Sequence, residues 1–119
     1  MKRVVVTGMG LISSLGNDLE TARNRLHTCK NTVKVMPELL EIRGLNTHLA
    51  APAMDFTLPE HYTRKVLRTM GKVSVMAVYS AENAVSDAGL IGSAILTSGR
   101  TGVAYGSSFG SAEGVADFF

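Results

Sequence analysis

The stretch VVVTGMGLISSLGND, from Val4 to Asp18, places three β-branched residues before a Gly-Met-Gly sequence and a helix-capping signal. The run from Lys2 to Thr7 is β-branched and does not alternate, so it predicts a buried strand. Asn17, with Glu20 three residues later, predicts a helix start through an asparagine variant of the capping box. Strand, glycine turn and helix in this order are also typical of phosphate-binding loops. The stretch is therefore either a nucleotide loop or a structural turn.

The nucleotide interpretation requires residues that the sequence does not supply. The dinucleotide fingerprint is G-x-G-x-x-G, and Ser13 stands where its third glycine should be. An acidic residue about 20 positions further on should bind the ribose, but His27, Cys29 and Lys30 occupy this region. No Gly-Lys-Ser/Thr of a phosphate loop follows. The sequence favours a structural turn at Gly8-Met9-Gly10.

Composition limits the class of protein. The chain has 119 residues, of which 45% are hydrophobic and 18% charged, so it should form one domain or part of one. A net charge of +2 gives no indication of nucleic-acid binding. No apolar run approaches the roughly 20 residues of a membrane helix, and no signal-peptide core follows Met1. With a single cysteine, these features favour a cytoplasmic protein without disulfides.

The possible metal ligands and nucleophile form no recognisable pattern. His27, His48 and His61 are far apart in the sequence, and Cys29 has no second cysteine to pair with. Zinc sites need such ligands in closely spaced pairs, so no metal site and no cofactor are predicted. Cys29 should lie near the C-terminal end of the first helix, where the helix dipole disfavours a thiolate. We expect it to be an incidental thiol.

The clearest element of the sequence is a long helix. Apolar residues recur in steps of three or four from Val66 to Ala88, which is the period of an α-helix. Gly71 interrupts this pattern and predicts a short helix, begun at Pro59, followed by a long one. Gly89 predicts a left-handed C-cap, with Leu90 folding back on the last turn. Close packing against a neighbouring element is predicted by the small residues of this helix, which are Ala77, Ser80, Ala81 and Ala84.

Basic residues cluster before and at the start of the long helix. Arg64, Arg68 and Lys72 are four residues apart and form one stripe, with Lys65 beside it. Such a stripe is either a solvated helix face or a surface that attracts an acidic partner. Composition does not decide between these two interpretations.

The remaining segments give weaker indications. Thr101 to Tyr105 predicts a second strand, and His48 to Met54 predicts an edge strand, because proline belongs at edges or bulges. Lys30 to Asn46 has no clear period and should be an irregular surface segment. The sequence stops where a new helix is expected to begin, at Phe118-Phe119. We therefore expect a truncated domain.

Three blocks of the sequence together resemble the N-terminal part of a β-ketoacyl-acyl-carrier-protein synthase of the elongating type. They are RVVVTGMGLISSLGND (Arg3 to Asp18), RKVLRTMGKVSVMAVYSAENAVSDAGL (Arg64 to Leu90) and RTGVAYGSSFGSAEG (Arg100 to Gly114). V-V-V-T-G-x-G followed by S-x-x-G-N is the usual opening of this family. The resemblance implies a thiolase-like layered α/β/α/β/α fold, of which residues 1–119 supply part of the N-terminal half. Gly8-Met9-Gly10 would then be its first strand-to-helix turn.

The resemblance also implies a decarboxylative Claisen condensation in fatty-acid or polyketide synthesis. An acyl group on a cysteine is attacked by the carbanion that malonyl-acyl carrier protein yields when it loses carbon dioxide. The family's nucleophilic cysteine, its two histidines and its lysine lie beyond the matched region. No catalytic residue is therefore assigned in this chain, and residues 1–119 alone should be inactive. The alternatives are a chain-length-factor-like partner without the nucleophile and a non-catalytic module that binds the carrier protein.

Two groups of residues match functional surfaces of this family. Arg64, Lys65 and Arg68 match the helix that docks the acidic acyl carrier protein, although Thr69 stands where a further basic residue is often found. The loop that lines the acyl pocket, near the interface of a homodimer or heterodimer, is matched by Gly106, Ser107, Ser108, Phe109 and Gly110. Relatives often carry a smaller residue at the position of Phe109, so its bulk predicts a shortened or redirected acyl tunnel. Ordinary core packing of Phe109 is the alternative.

Overall fold

A computed structural model of the chain describes residues 3–53 and 56–111 and divides the chain into two units. The first unit comprises residues 1–10 and 58–119, and the second comprises residues 11–57. The described residues form α-helices, one pair of short strands and a 3₁₀ turn. These elements are α1 (Leu19–His27), β1 (Lys34–Val35), α2 (Pro37–Leu40), β2 (Leu49–Ala50), α3 (Arg64–Leu67), α4 (Lys72–Asp87) and the 3₁₀ turn Ala94–Leu96.

Helix α1 begins one residue later than the capping-box pattern predicts. Asp18, not Asn17, is the N-cap, and its carboxylate accepts a hydrogen bond of 2.8 Å from the Thr21 backbone N–H. This hydrogen bond holds the pKa of the Asp18 carboxyl below its ordinary value. Aspartate caps as well as asparagine does and adds a negative charge at the positive end of the helix, which favours the later start.

The second unit also contains a strand pair that the sequence indicated only in part. β1 and β2 are antiparallel, with Lys34 opposite Ala50 and Val35 opposite Leu49. The segment from Lys30 to Asn46, expected to be irregular, therefore contains a strand and helix α2. The strand predicted over His48 to Met54 is confirmed at two residues. It ends before Pro52, which has no N–H to donate, and Met54 lies outside the described residues.

The predicted break at Gly71 is confirmed in the first unit, whereas the predicted helix start is wrong. α3 ends at Leu67, and α4 begins at Lys72 with Gly71 as its extended N-cap. The short helix does not begin at Pro59. The Pro59 carbonyl accepts a hydrogen bond of 3.0 Å from the Tyr62 N–H in a turn, and α3 follows only after Thr63.

Helix α4 ends in the left-handed cap that the sequence predicts. Gly89 has φ +68°, a conformation that is strained for residues with a Cβ. Its N–H donates to the Ser86 carbonyl at 2.9 Å, and the Leu90 N–H donates to the Val85 carbonyl at 3.0 Å. This is the Schellman pattern, which satisfies carbonyls of the last turn.

The glycines of the Gly-Met-Gly sequence lie directly against α4. A Cβ on Gly8 would collide with the carbonyl oxygen of Ala84. A Cβ on Gly10 would collide with the carbonyl oxygen of Ser80 and lie 2.8 Å from the Ala84 nitrogen. Only glycine permits this approach. The close packing predicted from the small residues of α4 is therefore confirmed at Ser80 and Ala84.

The turn predicted at Gly8-Met9-Gly10 lies elsewhere. The Met9 N–H donates a hydrogen bond of 2.9 Å to the Asp87 carboxylate, in the last turn of α4, so this segment runs beside the helix. A chain reversal occurs in the second unit, between Ser13 and Gly16. These two residues exchange backbone hydrogen bonds of 3.0 and 3.2 Å, and Gly16 has φ +151°.

The strands predicted over Lys2 to Thr7 and Thr101 to Tyr105 are not formed. Residues 3–7 and 101–105 belong to no ladder within the described parts of the chain, and Lys2 lies outside them. Val4 and Val6 are 94% and 80% exposed, so the burial predicted for the first of these strands is wrong as well. A strand obtains its hydrogen bonds from a neighbouring strand, and the local pattern of residues does not provide one.

The buried core of the described residues is small. Ala22 is the buried hydrophobic residue of the second unit, and Tyr62 and Val75 are those of the first. Helix α4, predicted to be core, is half-buried along most of its length. No helix in the described part of the chain is both long enough and apolar enough to cross a membrane.

We predict that Gly10→Ala destabilises the fold by about 1–3 kcal/mol, because its methyl group has no room beside Ser80. The matched control is Gly102→Ala, since nothing lies within 4 Å of a Cβ at Gly102. The free energy of unfolding, measured by urea denaturation, provides the comparison. Equal stability of the two variants would contradict the close packing.

Candidate functional site

The basic residues selected from the sequence lie together in the first unit. Arg64 and Lys65 begin α3, and Arg68 is its C-cap. All three side chains are exposed, and we refer to them as the basic surface. The next basic residue, Lys72, begins α4 and is also exposed.

No acidic side chain of the described residues pairs with the basic surface. No acidic residue occurs in the sequence between Glu60 and Glu82. Among residues 3–53 and 56–111, none of the three basic side chains forms an ion pair. Exposed, unpaired positive charges that lie close together raise the local concentration of negatively charged partners.

A polar cluster precedes the basic surface. The Tyr62 hydroxyl donates a hydrogen bond of 2.8 Å to Glu82 Oε2, and His61 Nε2 lies 2.9 Å from Oε1 and 3.1 Å from Oε2 of the same carboxylate. Tyr62 is buried, whereas the side chains of His61 and Glu82 are 59% and 36% exposed. We refer to these three residues as the Glu82 cluster.

The contacts within the Glu82 cluster shift the pKa values of two members. Burial, followed by the hydrogen bond to Glu82, raises the pKa of Tyr62 from 10.0 to about 12. The hydrogen bond from Tyr62 lowers the pKa of the Glu82 carboxyl, with a smaller contribution from His61, although partial burial opposes it. At neutral pH the phenol therefore keeps its proton and the carboxylate stays ionised. These are the protonation states that a charge-assisted O–H···O⁻ bond requires.

Little in the sequence indicates this cluster. His61 appears in the sequence as one of three scattered histidines, and 20 positions separate Tyr62 from Glu82. One signal was present, since Glu82 is the first charged residue after Lys72 in α4.

The other candidate ligands and the cysteine lie apart. His27 is in α1, where its Nε2 is 3.4 Å from Arg23 Nε, and His48 precedes β2. Cys29 is exposed and follows the C-cap of α1. Among the described residues, no three His, Cys, Asp or Glu side chains are grouped so as to hold a metal ion.

The predicted acyl-pocket loop, residues 106–110, borders an apolar groove beside α4. The Gly110 N–H donates a hydrogen bond of 3.0 Å to Ser107 Oγ, and Phe109 is 89% exposed. The groove has a volume of about 500 Å³, within the range of small-molecule sites. Its walls are formed by Ser107, Gly110 and Ser111 together with Val73, Ser74, Ala77, Val78, Ala81, Val103 and Tyr105. Residues 112–114 of the matched block lie outside the described residues.

Comparison with known proteins identifies the family. The sequence model described as "Beta-ketoacyl synthase, N-terminal domain" matches residues 1–118. The 3-oxoacyl-acyl-carrier-protein synthase 1 of Haemophilus influenzae is 38% identical over 112 residues, which cover 94% of this chain and 27% of that protein. Synthase 2 of Staphylococcus aureus is 35% identical over 117 residues, with the same two coverages of 94% and 27%.

A solved structure shows the same fold. The crystal structure of a beta-ketoacyl synthase from Burkholderia phymatum superimposes with a TM-score of 0.90 at 44% identity, covering 99% of this chain and 29% of that chain. This confirms the thiolase-like α/β fold. The chain belongs to the beta-ketoacyl synthase family. It spans about a quarter of the length of the curated relatives described above.

Proposed function

We propose that this chain is part of a 3-oxoacyl-acyl-carrier-protein synthase that acts in fatty-acid or polyketide synthesis. The observation that carries this proposal is the match of residues 1–118 to the N-terminal domain of the family. The proposed reaction is a decarboxylative Claisen condensation. Carbon dioxide leaves the malonyl group, the resulting carbanion forms a bond to the acyl carbon, and the acyl group leaves the cysteine sulfur.

The proposal assigns no catalytic group to residues 1–119. The family resemblance implies a nucleophilic cysteine in a motif that follows a later strand, and Cys29 instead follows α1. The contribution of this part of the chain is then recognition: the basic surface binds the carrier protein, and the loop of residues 106–110 borders the acyl group.

A chimera tests the proposed activity. Residues 1–119 replace the aligned segment of the Haemophilus influenzae synthase, and the 3-oxoacyl product formed from malonyl-carrier protein and an acyl primer is measured. We expect product well above that of the same chimera with its nucleophilic cysteine replaced by alanine. A chimera that is folded by circular dichroism but forms no product would contradict the proposal. Retained binding of the carrier protein would then favour a non-catalytic binding module.

The basic surface is proposed as the docking site for acyl carrier protein. Its support is the exposure of Arg64, Lys65 and Arg68 and the absence of an ion pair to any of them within the described residues. The carrier protein in this family is acidic, so complementary charge would steer association and fix orientation.

We predict that the double substitution Arg64→Glu and Arg68→Glu in the chimera raises KM for malonyl-carrier protein about tenfold, because attraction becomes repulsion. The effect should shrink as salt concentration rises. Arg43→Glu is the matched control, since Arg43 is exposed in the loop between α2 and β2. The same rise in KM for the control and the double variant would refute docking at this surface.

The loop of residues 106–110 is proposed to line the acyl pocket, near the interface of a dimer of like or related chains. Its support is the apolar groove beside α4, which Ser107 and Gly110 border. Phe109 in this loop is 89% exposed and does not line the groove in the described part of the chain. We propose that the rest of the synthase encloses its large side chain in the acyl pocket, where added volume is not freely accommodated. The synthase would then prefer short or unusual primers.

We predict that Phe109→Ala shifts the ratio of kcat/KM in the chimera toward longer acyl primers, because the substitution removes side-chain volume from the tunnel. Ile95→Ala is the control, since Ile95 lies in the 3₁₀ turn Ala94–Leu96, outside the loop of residues 106–110. The measurement compares a short and a long primer for each variant. An unchanged ratio of kcat/KM between the two primers would contradict the hypothesis that Phe109 limits chain length.

A further inference from the structure

The helix that carries the basic surface is too short to be stable alone. α3 has four residues, and its N-cap, Thr63, makes no side-chain capping bond. Isolated helices shorter than about 12 residues are marginal in water. The position of α3 must therefore be set by the contacts of the residues on either side of it.

The residues before α3 are attached to α4 through Glu82. His61 and Tyr62 immediately precede the N-cap of α3, and both contact the Glu82 carboxylate. The Tyr62 ring also lies 6.4 Å from the Tyr79 ring, centroid to centroid. Tyr79 and Glu82 are three residues apart and so share one face of α4.

The residues after α3 lead directly into the start of α4. The Met70 N–H donates to the Leu67 carbonyl at 2.9 Å, and Gly71 is the N-cap of α4. The segment that contains α3 is therefore connected to α4 at two places. One is the N-terminus of α4 and the other is Glu82, which lies ten residues, or about 15 Å, further along the helix. The contact at Glu82 is a side-chain contact and can be removed by substitution.

We propose that Glu82 is a positioning residue for carrier-protein recognition: by holding His61 and Tyr62 on α4, its carboxylate fixes α3 and the basic surface that α3 carries. This inference rests on the docking function proposed above. Glu82 itself lies outside the basic surface and acts through the two residues that it holds. Loss of the carboxylate should leave the basic residues present but no longer held in one arrangement.

Glu82→Ala in the chimera tests this role. The quantity measured is KM for malonyl-carrier protein divided by KM for a malonyl thioester of a small pantetheine analogue, which has no protein to dock. We expect this ratio to rise about tenfold, the factor that corresponds to loss of one hydrogen bond to a charged group. Glu82→Gln should restore part of the effect, because its amide oxygen can still accept from Tyr62. Glu38→Ala, at an exposed position in α2, is the control.

Tyr62→Phe keeps the buried ring and removes only the hydroxyl, so it replaces Glu82→Ala in this test if the Glu82→Ala chimera does not fold. It should raise the same ratio. An unchanged ratio in folded Glu82→Ala and Tyr62→Phe chimeras would overturn the positioning role.

The outcomes separate the two proposals. If Arg64→Glu with Arg68→Glu raises KM but Glu82→Ala and Tyr62→Phe do not change the ratio, docking stands and positioning fails. If the charge reversal has no effect in a chimera that is folded by circular dichroism, docking itself fails, and the positioning proposal that depends on it fails with it.

Discussion

The close approach of the Gly8–Gly10 backbone to helix α4 is the constraint on which the first unit depends. The approach leaves no room for a Cβ on either glycine, and the Met9 N–H is tied to Asp87 at the end of the helix. On the helix side, the small residues Ser80 and Ala84 form this contact. A Gly-x-Gly sequence after a β-branched run is therefore explained here by packing, with no need of a phosphate group.

Both features proposed to serve function, the basic surface and the apolar groove, lie beside helix α4. Glu82 on this helix holds the residues that precede α3, and the residues that follow α3 lead into its N-terminus. Val73, Ala77 and Ala81 form a wall of the apolar groove bordered by the loop of residues 106–110. One helix of 16 residues thus contacts the residues that flank α3 and lines the groove, and a change in its packing should affect both regions.

Family membership and the contacts between side chains support different parts of the proposed function. The match over residues 1–118 indicates the kind of reaction to propose. It does not indicate which side chains of this chain act together. The Glu82 cluster emerges from distances between atoms, and of its three members the sequence had singled out only His61, as one of three scattered histidines.

The sequence by itself determined the features that depend on neighbouring residues along the chain: the break at Gly71, the left-handed cap at Gly89 and the grouping of basic residues around α3. These follow from backbone preferences within a few positions. Tertiary structure decided the features that need a partner distant in sequence. Residues 3–7 and 101–105 have strong strand preferences but no ladder in the described chain, and Glu82 meets Tyr62 across 20 positions. A hydrogen bond between distant segments depends on which of them the fold brings together, and local preference contains no information about that choice.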